Sequence, residues 1–279
     1  MTTQNSSRYA LRVAFVASTV LLAATVRADI VSTIQNAKSG TTVSASGTYS
    51  VSGKIHVPAG VTVKGPATFK FSSSSTDGFV ISTGYSGVTL QSLTVTGAYH
   101  GIIIYGKSNK ITSCTATANG NTGIICENSG STGNSISSCL SYNNADSSGG
   151  NADGFGAKQG PSGNTFSNCT AYENSDDGWD LEKSAGVETL TGCLSYTEGK
   201  STGGKVGNGN GFKMGISGDN IAHVLTSCTA HHNTAGDSAH GFAANHNTGK
   251  IKLTTCHSYS NKNKDDLGNS VLSNCTMQQ

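Results

Sequence analysis

Seven short segments share one arrangement of apolar and polar positions: KITSCTAT, SISSCLSY, TFSNCTAY, TLTGCLSY, VLTSCTAH, KLTTCHSY and VLSNCTMQ. Each carries an apolar residue three before its cysteine: Ile111, Ile136, Phe166, Leu190, Leu225, Leu253 and Leu272. A small residue follows two after the cysteine, from Ala116 to Ser258, with Met277 in the last segment. The pattern reads as a short strand of period-two alternation with one face toward a core. The cysteines recur at intervals from 19 residues (Cys256 to Cys275) to 35 residues (Cys193 to Cys228). Repetition on that scale marks a solenoid, whose coils bury their apolar faces by stacking.

A second column lies between these segments. GIIIY, GIICE, GFGAK, GWDLE, GFKMG and GFAAN open at Gly101, Gly123, Gly154, Gly178, Gly211 and Gly241. The positions one and three after each glycine are apolar, as in Trp179 and Leu181, and are expected to face inward. The positions two and four after it then face outward. Several short strands per repeat, with no length for crossover helices, predict an all-β fold, a right-handed parallel β-helix. DIVSTIQNA, from Asp29 to Ala37, reads as a short amphipathic helix. It is expected to plug the first coil, where sheet edges would lie bare. No cap is recognisable near Gln279, so that end is expected to need a partner or further coils.

Residues 1–28 read as a signal peptide: Arg8 and Arg12 precede an apolar run, Val13 to Val26, and Ala28 offers a cleavage point. The run is too short to span a membrane. Residues 29–279 are then one secreted, extracellular β-helical domain, taken as a monomer with no membrane association. Lys and Arg number 18 against 16 Asp and Glu, and no basic run stands out, which argues against a nucleic-acid partner. Seven of the eight cysteines fall in one inward column with parallel Cβ vectors. That is poor geometry for disulfides, so packed thiols are expected, with one or two bridges as the alternative. Asn168 and Asn274 open formal glycosylation sequons but fall in expected strands. His223, His231, His232, His240, His246 and His257 read as outward or loop residues.

The chemistry concentrates in a few outward positions. Asp153 and Asp177 immediately precede Gly154 and Gly178, so they stack at one corner with Asp176 beside them. Asp180 and Lys213 each lie two after a glycine on adjacent coils and should stand side by side. Lys158 and Glu182 share the column four after the glycine. Four carboxylates converging without His or Cys suit a hard, oxygen-seeking cation, above all Ca²⁺.

The strings NADGFGAK, NSDDGWDLEK and GNGNGFKMG resemble the signature segments of the family nine polysaccharide lyases, pectate lyases built on a right-handed parallel β-helix. The resemblance is strong from Asn151 to Asn247 and elsewhere covers only generic coils. It implies calcium binding by Asp153, Asp176, Asp177 and Asp180, and proton abstraction by Lys213. Lys158 is a substrate-binding candidate beside them. The implied reaction is β-elimination on polygalacturonate. A lysine base must be neutral to act. The cation and Lys158 should favour that form against the aspartates, so an alkaline optimum is expected. Two other readings stand beside this one. Asp176 and Asp177 could serve a β-helical pectin-degrading glycoside hydrolase. The repeats alone could serve a non-catalytic, cell-wall-binding β-helix.

Overall fold

The computed structural model of the chain describes residues 30–200 and 205–279. The segment read as a signal peptide lies outside the described residues. Residues 30–35 form a short helix, and Ile34 inserts fully into the core at the first coil. No helix among the described residues is long and apolar enough to cross a membrane.

The fold is a right-handed parallel β-helix whose coils stack in register, with one shift between Lys64 and Ala67. One sheet holds eight parallel strands: Ile55–His56, Phe79–Ile81, Ile102–Ile104, Ile124–Glu127, Phe155–Lys158, Trp179–Asp180, Phe212–Lys213 and Phe242–Ala243. A 17-stranded sheet covers the other sides of the coil. Side chains one after each corner glycine stack inward as expected. Phe155, Trp179, Phe212 and Phe242 form a continuous buried pile, with ring centroids 4.6, 4.8 and 5.0 Å apart.

The cysteine segments are not single strands. Lys110–Thr112 and Thr115–Thr117 are separate, and the same break recurs in the following segments. The residue before each cysteine adopts a left-handed conformation: φ is 53° at Ser113, 52° at Ser138, 53° at Asn168 and 64° at Gly192. This bend corrects the reading of plain alternation. Ile111 and Cys114 lie an odd number of residues apart, so an unbroken strand would turn them to opposite faces. One left-handed residue resets the parity, and both are buried. Asn168 and Asn274 occupy this exposed bend rather than a strand. All eight cysteines are free thiols, seven of them buried. Their sulfurs donate weakly to main-chain carbonyls, as Cys139 does to Ser137 O at 3.3 Å.

Two buried polar ladders, unforeseen in the sequence, run along the helix axis at the positions five after and five before the cysteine. In the first, Asn119 Nδ2 donates to Asn144 Oδ1 at 2.9 Å, and Asn144 Nδ2 to Asn174 Oδ1 at 2.8 Å. Asn174 Nδ2 then donates to Glu198 Oε2 at 3.1 Å. Asn233 and Asn261 continue the line, and Gln278 Oε1 closes it by accepting from Asn261 N at 2.6 Å. The second ladder comprises Asn109, Asn134, Asn164, Glu188 and His223. His223, just before the strand at Val224, is therefore buried rather than outward: its Nδ1 accepts from Glu188 N at 3.1 Å. Each rung supplies partners for corner amides that the sheets leave unpaired.

Both ladders carry glutamate on the same coil. Burial pushes Glu188 up to about 7 and Glu198 up to about 8, against the bonds each receives from an asparagine. A carboxyl whose folded pKa exceeds its unfolded value adds stability below the unfolded value. That contribution disappears as pH rises through the folded value. The thermal midpoint should accordingly fall between about pH 5 and about pH 9, and Glu188→Gln with Glu198→Gln should flatten the fall. An unchanged slope in the double variant would contradict this. Asn144→Ala orphans the N and Nδ2 donors of Asn119 and should cost about 2–4 kcal/mol in denaturant unfolding.

Candidate active site

The outer face of the eight-stranded sheet carries three columns. The residues just before the corner glycines are Asp77, His100, Thr122, Asp153, Asp177, Asn210 and His240. Those two after them are Val80, Ile103, Ile125, Gly156, Asp180, Lys213 and Ala243, paired coil to coil. Those four after include Tyr105, Glu127, Lys158 and Glu182. Strand pairing thus sets Asp180 directly beside Lys213, and corner stacking sets Asp153 beside Asp177.

One oxygen from each of Asp153, Asp176 and Asp177 lies within 4.8 Å of the other two, and all three residues are buried. Asp180 stands outside this triad. Its Oδ2 lies 2.9 Å from Lys158 Nζ and 3.0 Å from Lys213 Nζ. The Lys158 ammonium turns to Asp153 Oδ2 at 2.8 Å as well as to Asp180. Lys213 Nζ is also 3.6 Å from Glu182 Oε2 and 3.7 Å from Asp177 Oδ2. The aspartates, as well as its strand, therefore fix its position.

Four aspartates face two ammonium groups here, a formal excess of two negative charges with every aspartate ionised. Burial pushes Asp176 up to about 7, with the Asp153 charge adding to it. Asp177 is raised by burial and by Asp176. Burial also raises Asp153, against the pull of Lys158. Asp180 alone is lowered, because Lys158 and Lys213 overrule its burial. At Lys213 the opposition expected from the aspartates is present. Burial pulls it down, but Asp180, Asp177 and Asp153 overrule burial and hold it protonated above its ordinary range. A cation among these carboxylates would remove the charge that holds the proton there.

Hydrogen bonds leave one atom conspicuously free. Asp177 Oδ1 accepts from Asn210 N at 2.7 Å and Asn210 Nδ2 at 2.9 Å. Asp177 Oδ2 is buried and accepts none, since Lys213 at 3.7 Å is beyond hydrogen-bond range. Asp176 Oδ1 accepts from Asn208 N at 2.6 Å, and Asp153 Oδ1 from Asp177 N at 3.2 Å. An orphaned carboxylate oxygen, three converging acids and two surplus negative charges fit a hard divalent cation. Sequence reasoning missed Asn210 and Asn208. The signal for Asn210 was its place in the aspartate column, one coil after Asp177.

A family profile described as "Pel9A-like, right handed beta helix region" matches residues 21–274. A pectate lyase L from Thermoclostridium stercorarium is 36% identical over 171 residues, 56% of this chain and 14% of that protein. A pectate lyase L from Dickeya dadantii is 33% identical over 240 residues, 81% of this chain and 55% of that protein. The crystal structure of pectate lyase Pel9A superposes with a TM-score of 0.74 at 28% identity, covering 82% of this chain and 63% of that one. The chain thus spans less than two thirds of the length of each of these proteins.

The double donation from Asn210 should matter to any cation held by Asp177. Asn210→Ala should weaken calcium affinity by about tenfold or more, read by calorimetric titration. Unchanged affinity would show that Asp177 needs no such anchoring.

Proposed function

We propose, for a chain that belongs to the Pel9A-like right-handed β-helix family, that it is a secreted, calcium-dependent pectate lyase that cleaves polygalacturonate by β-elimination. The observation that carries this reading is the adjacency of Lys213 to a carboxylate cluster with a surplus of negative charge. Asp153, Asp176 and Asp177 would hold the ion, with Asp180 at their edge. Bound there, calcium would engage the uronate carboxylate and withdraw charge from it, so that the adjacent C5 proton becomes more acidic.

The remaining work falls to the chain. Lys213 accepts the C5 proton on Nζ. The electron pair of that C–H bond forms the C4–C5 double bond, and the C4–O bond breaks with its pair on the leaving oxygen. Asp180 keeps the Lys213 amine aimed at the cluster through its 3.0 Å contact. Lys158, pinned by Asp153 and Asp180 with its side chain 14% exposed, keeps one face toward the groove where a uronate carboxylate would lie. Lys213 must be neutral to accept a proton, and the uncompensated carboxylates oppose that. Activity should therefore rise with alkaline pH and require the ion. A hydrolase using Asp176 and Asp177 would leave Lys213 without a part in the reaction.

The test is the ultraviolet absorbance of the unsaturated product from polygalacturonate, with and without a chelator. A hydrolase would release reducing ends without that absorbance. Lys213→Ala should keep calcium affinity and lose turnover by about a hundredfold or more, the usual scale for a general base. Lys213→Arg should fail nearly as badly, since guanidinium stays protonated. Near-normal turnover in Lys213→Arg would exclude lysine as the base.

A further inference from the structure

Away from the carboxylate cluster, two metal-ligating side chains meet on the 17-stranded sheet. The position three after the cysteine carries an outward ring on five successive coils: Tyr142, Tyr172, Tyr196, His231 and Tyr259. Their centroids lie 4.7, 5.0, 5.3 and 5.1 Å apart, with neighbouring planes within 14° of parallel. Tyr196 and Tyr259 thus clamp His231 on both faces, and only the edge of the imidazole is left to bond.

Plain alternation would turn the next residue, four after the cysteine, toward the core. A second left-handed bend prevents this on the same coils: φ is 54° at Asn143, 55° at Glu173, 54° at Thr197, 56° at His232 and 57° at Ser260. The bend therefore presents two consecutive side chains outward. On one of the five coils alone both are histidine. The His232 ring stands at 89° to that of His231, with centroids 5.0 Å apart, and at 86° to that of Tyr259. The two Nδ1 atoms are 2.9 Å apart.

With no ion present, that distance is one N–H···N bond, a single proton held between two nitrogens. It is equally the separation of two nitrogens bonded at about a right angle to one metal ion, with bonds of about 2.0–2.1 Å. Stacking fixes one ring and the left-handed backbone aims the other, so little order remains to be gained on binding. Burial and the neighbouring His232 hold His231 below the ordinary histidine range, which keeps protons from competing for it at neutral pH.

We propose that His231 and His232 form a metal site separate from the aspartates, a two-imidazole chelate through both Nδ1 atoms for a transition-metal ion, Cu²⁺ ahead of Ni²⁺ or Zn²⁺. On binding, the proton between the nitrogens leaves Nδ1 and the same ring takes one up on Nε2. Both rings stay neutral, and each gives its Nδ1 lone pair to the ion. Water fills the other coordination positions. Donor type keeps the two sites apart: imidazole nitrogen selects a transition ion, whereas the carboxylate oxygens of the cluster suit Ca²⁺. The assignment does not depend on the lyase reading.

The full chain is titrated with Cu²⁺ near neutral pH by calorimetry, with calcium saturating throughout. Pulsed electron paramagnetic resonance then counts the imidazoles on the bound copper. One copper per chain carrying two imidazoles is the expected result. His231→Phe keeps a ring in the pile and removes the nitrogen, and His232→Ala removes the exposed partner. Each should lower copper affinity by at least about tenfold, the usual scale for losing even a supporting partner of a metal ligand, and should leave a one-imidazole spectrum. Asp177→Ala should leave copper affinity unchanged. A wild-type spectrum with one imidazole or none, or unchanged affinity in a folded His231→Phe or His232→Ala chain, would overturn the assignment. Loss of copper binding in Asp177→Ala with both histidines intact would overturn it too, by placing the ion on the acids.

Discussion

Parallel pairing between coils governs everything else in this molecule. Strands around the aspartate corner pair with their counterparts one coil away without slip, as in Phe155 opposite Trp179 and Asp180 opposite Lys213. Residues far apart in sequence thereby become nearest neighbours, and like stacks on like. In the interior this is favourable: aromatic rings pile on rings and asparagines donate to asparagines. At the surface it can force like charges together, and the Asp153–Asp177 corner is such a place.

The aspartate corner is therefore a site where the fold imposes a cost that the chain alone does not relieve. Asp176 and Asp177 are buried and raised, and one oxygen of Asp177 has no hydrogen-bond partner. Two lysines answer only part of the charge. Asn210 and Asn208 satisfy individual oxygens but bring no positive charge. What is missing is charge and coordination together, which the proposed cation would supply.

Much of this was legible before any coordinates. The apolar columns marked the coils, and counting from each corner glycine placed Asp180 beside Lys213 and Asp153 beside Asp177. Two kinds of feature were not legible. The left-handed residue before each cysteine hides in ordinary Ser, Asn and Thr, because a conformation leaves little trace in composition. The ladders were hidden because asparagine near a turn is common, and only stacking turns a row of them into a buried polar line. Nor was the balance at Lys213 legible, because sequence counts neighbours but not their distances, and three nearby carboxylates outweigh burial there.

Trp179 is the only tryptophan in the chain. It lies fully buried between Phe155 and Phe212, one residue from Asp180 and two from Asp177. Its indole nitrogen has no hydrogen-bond partner. Intrinsic fluorescence excited at the indole therefore reports from a single place, directly behind the carboxylates. The molecule carries its own optical gauge of the field at that corner, with no background from elsewhere in the fold to subtract.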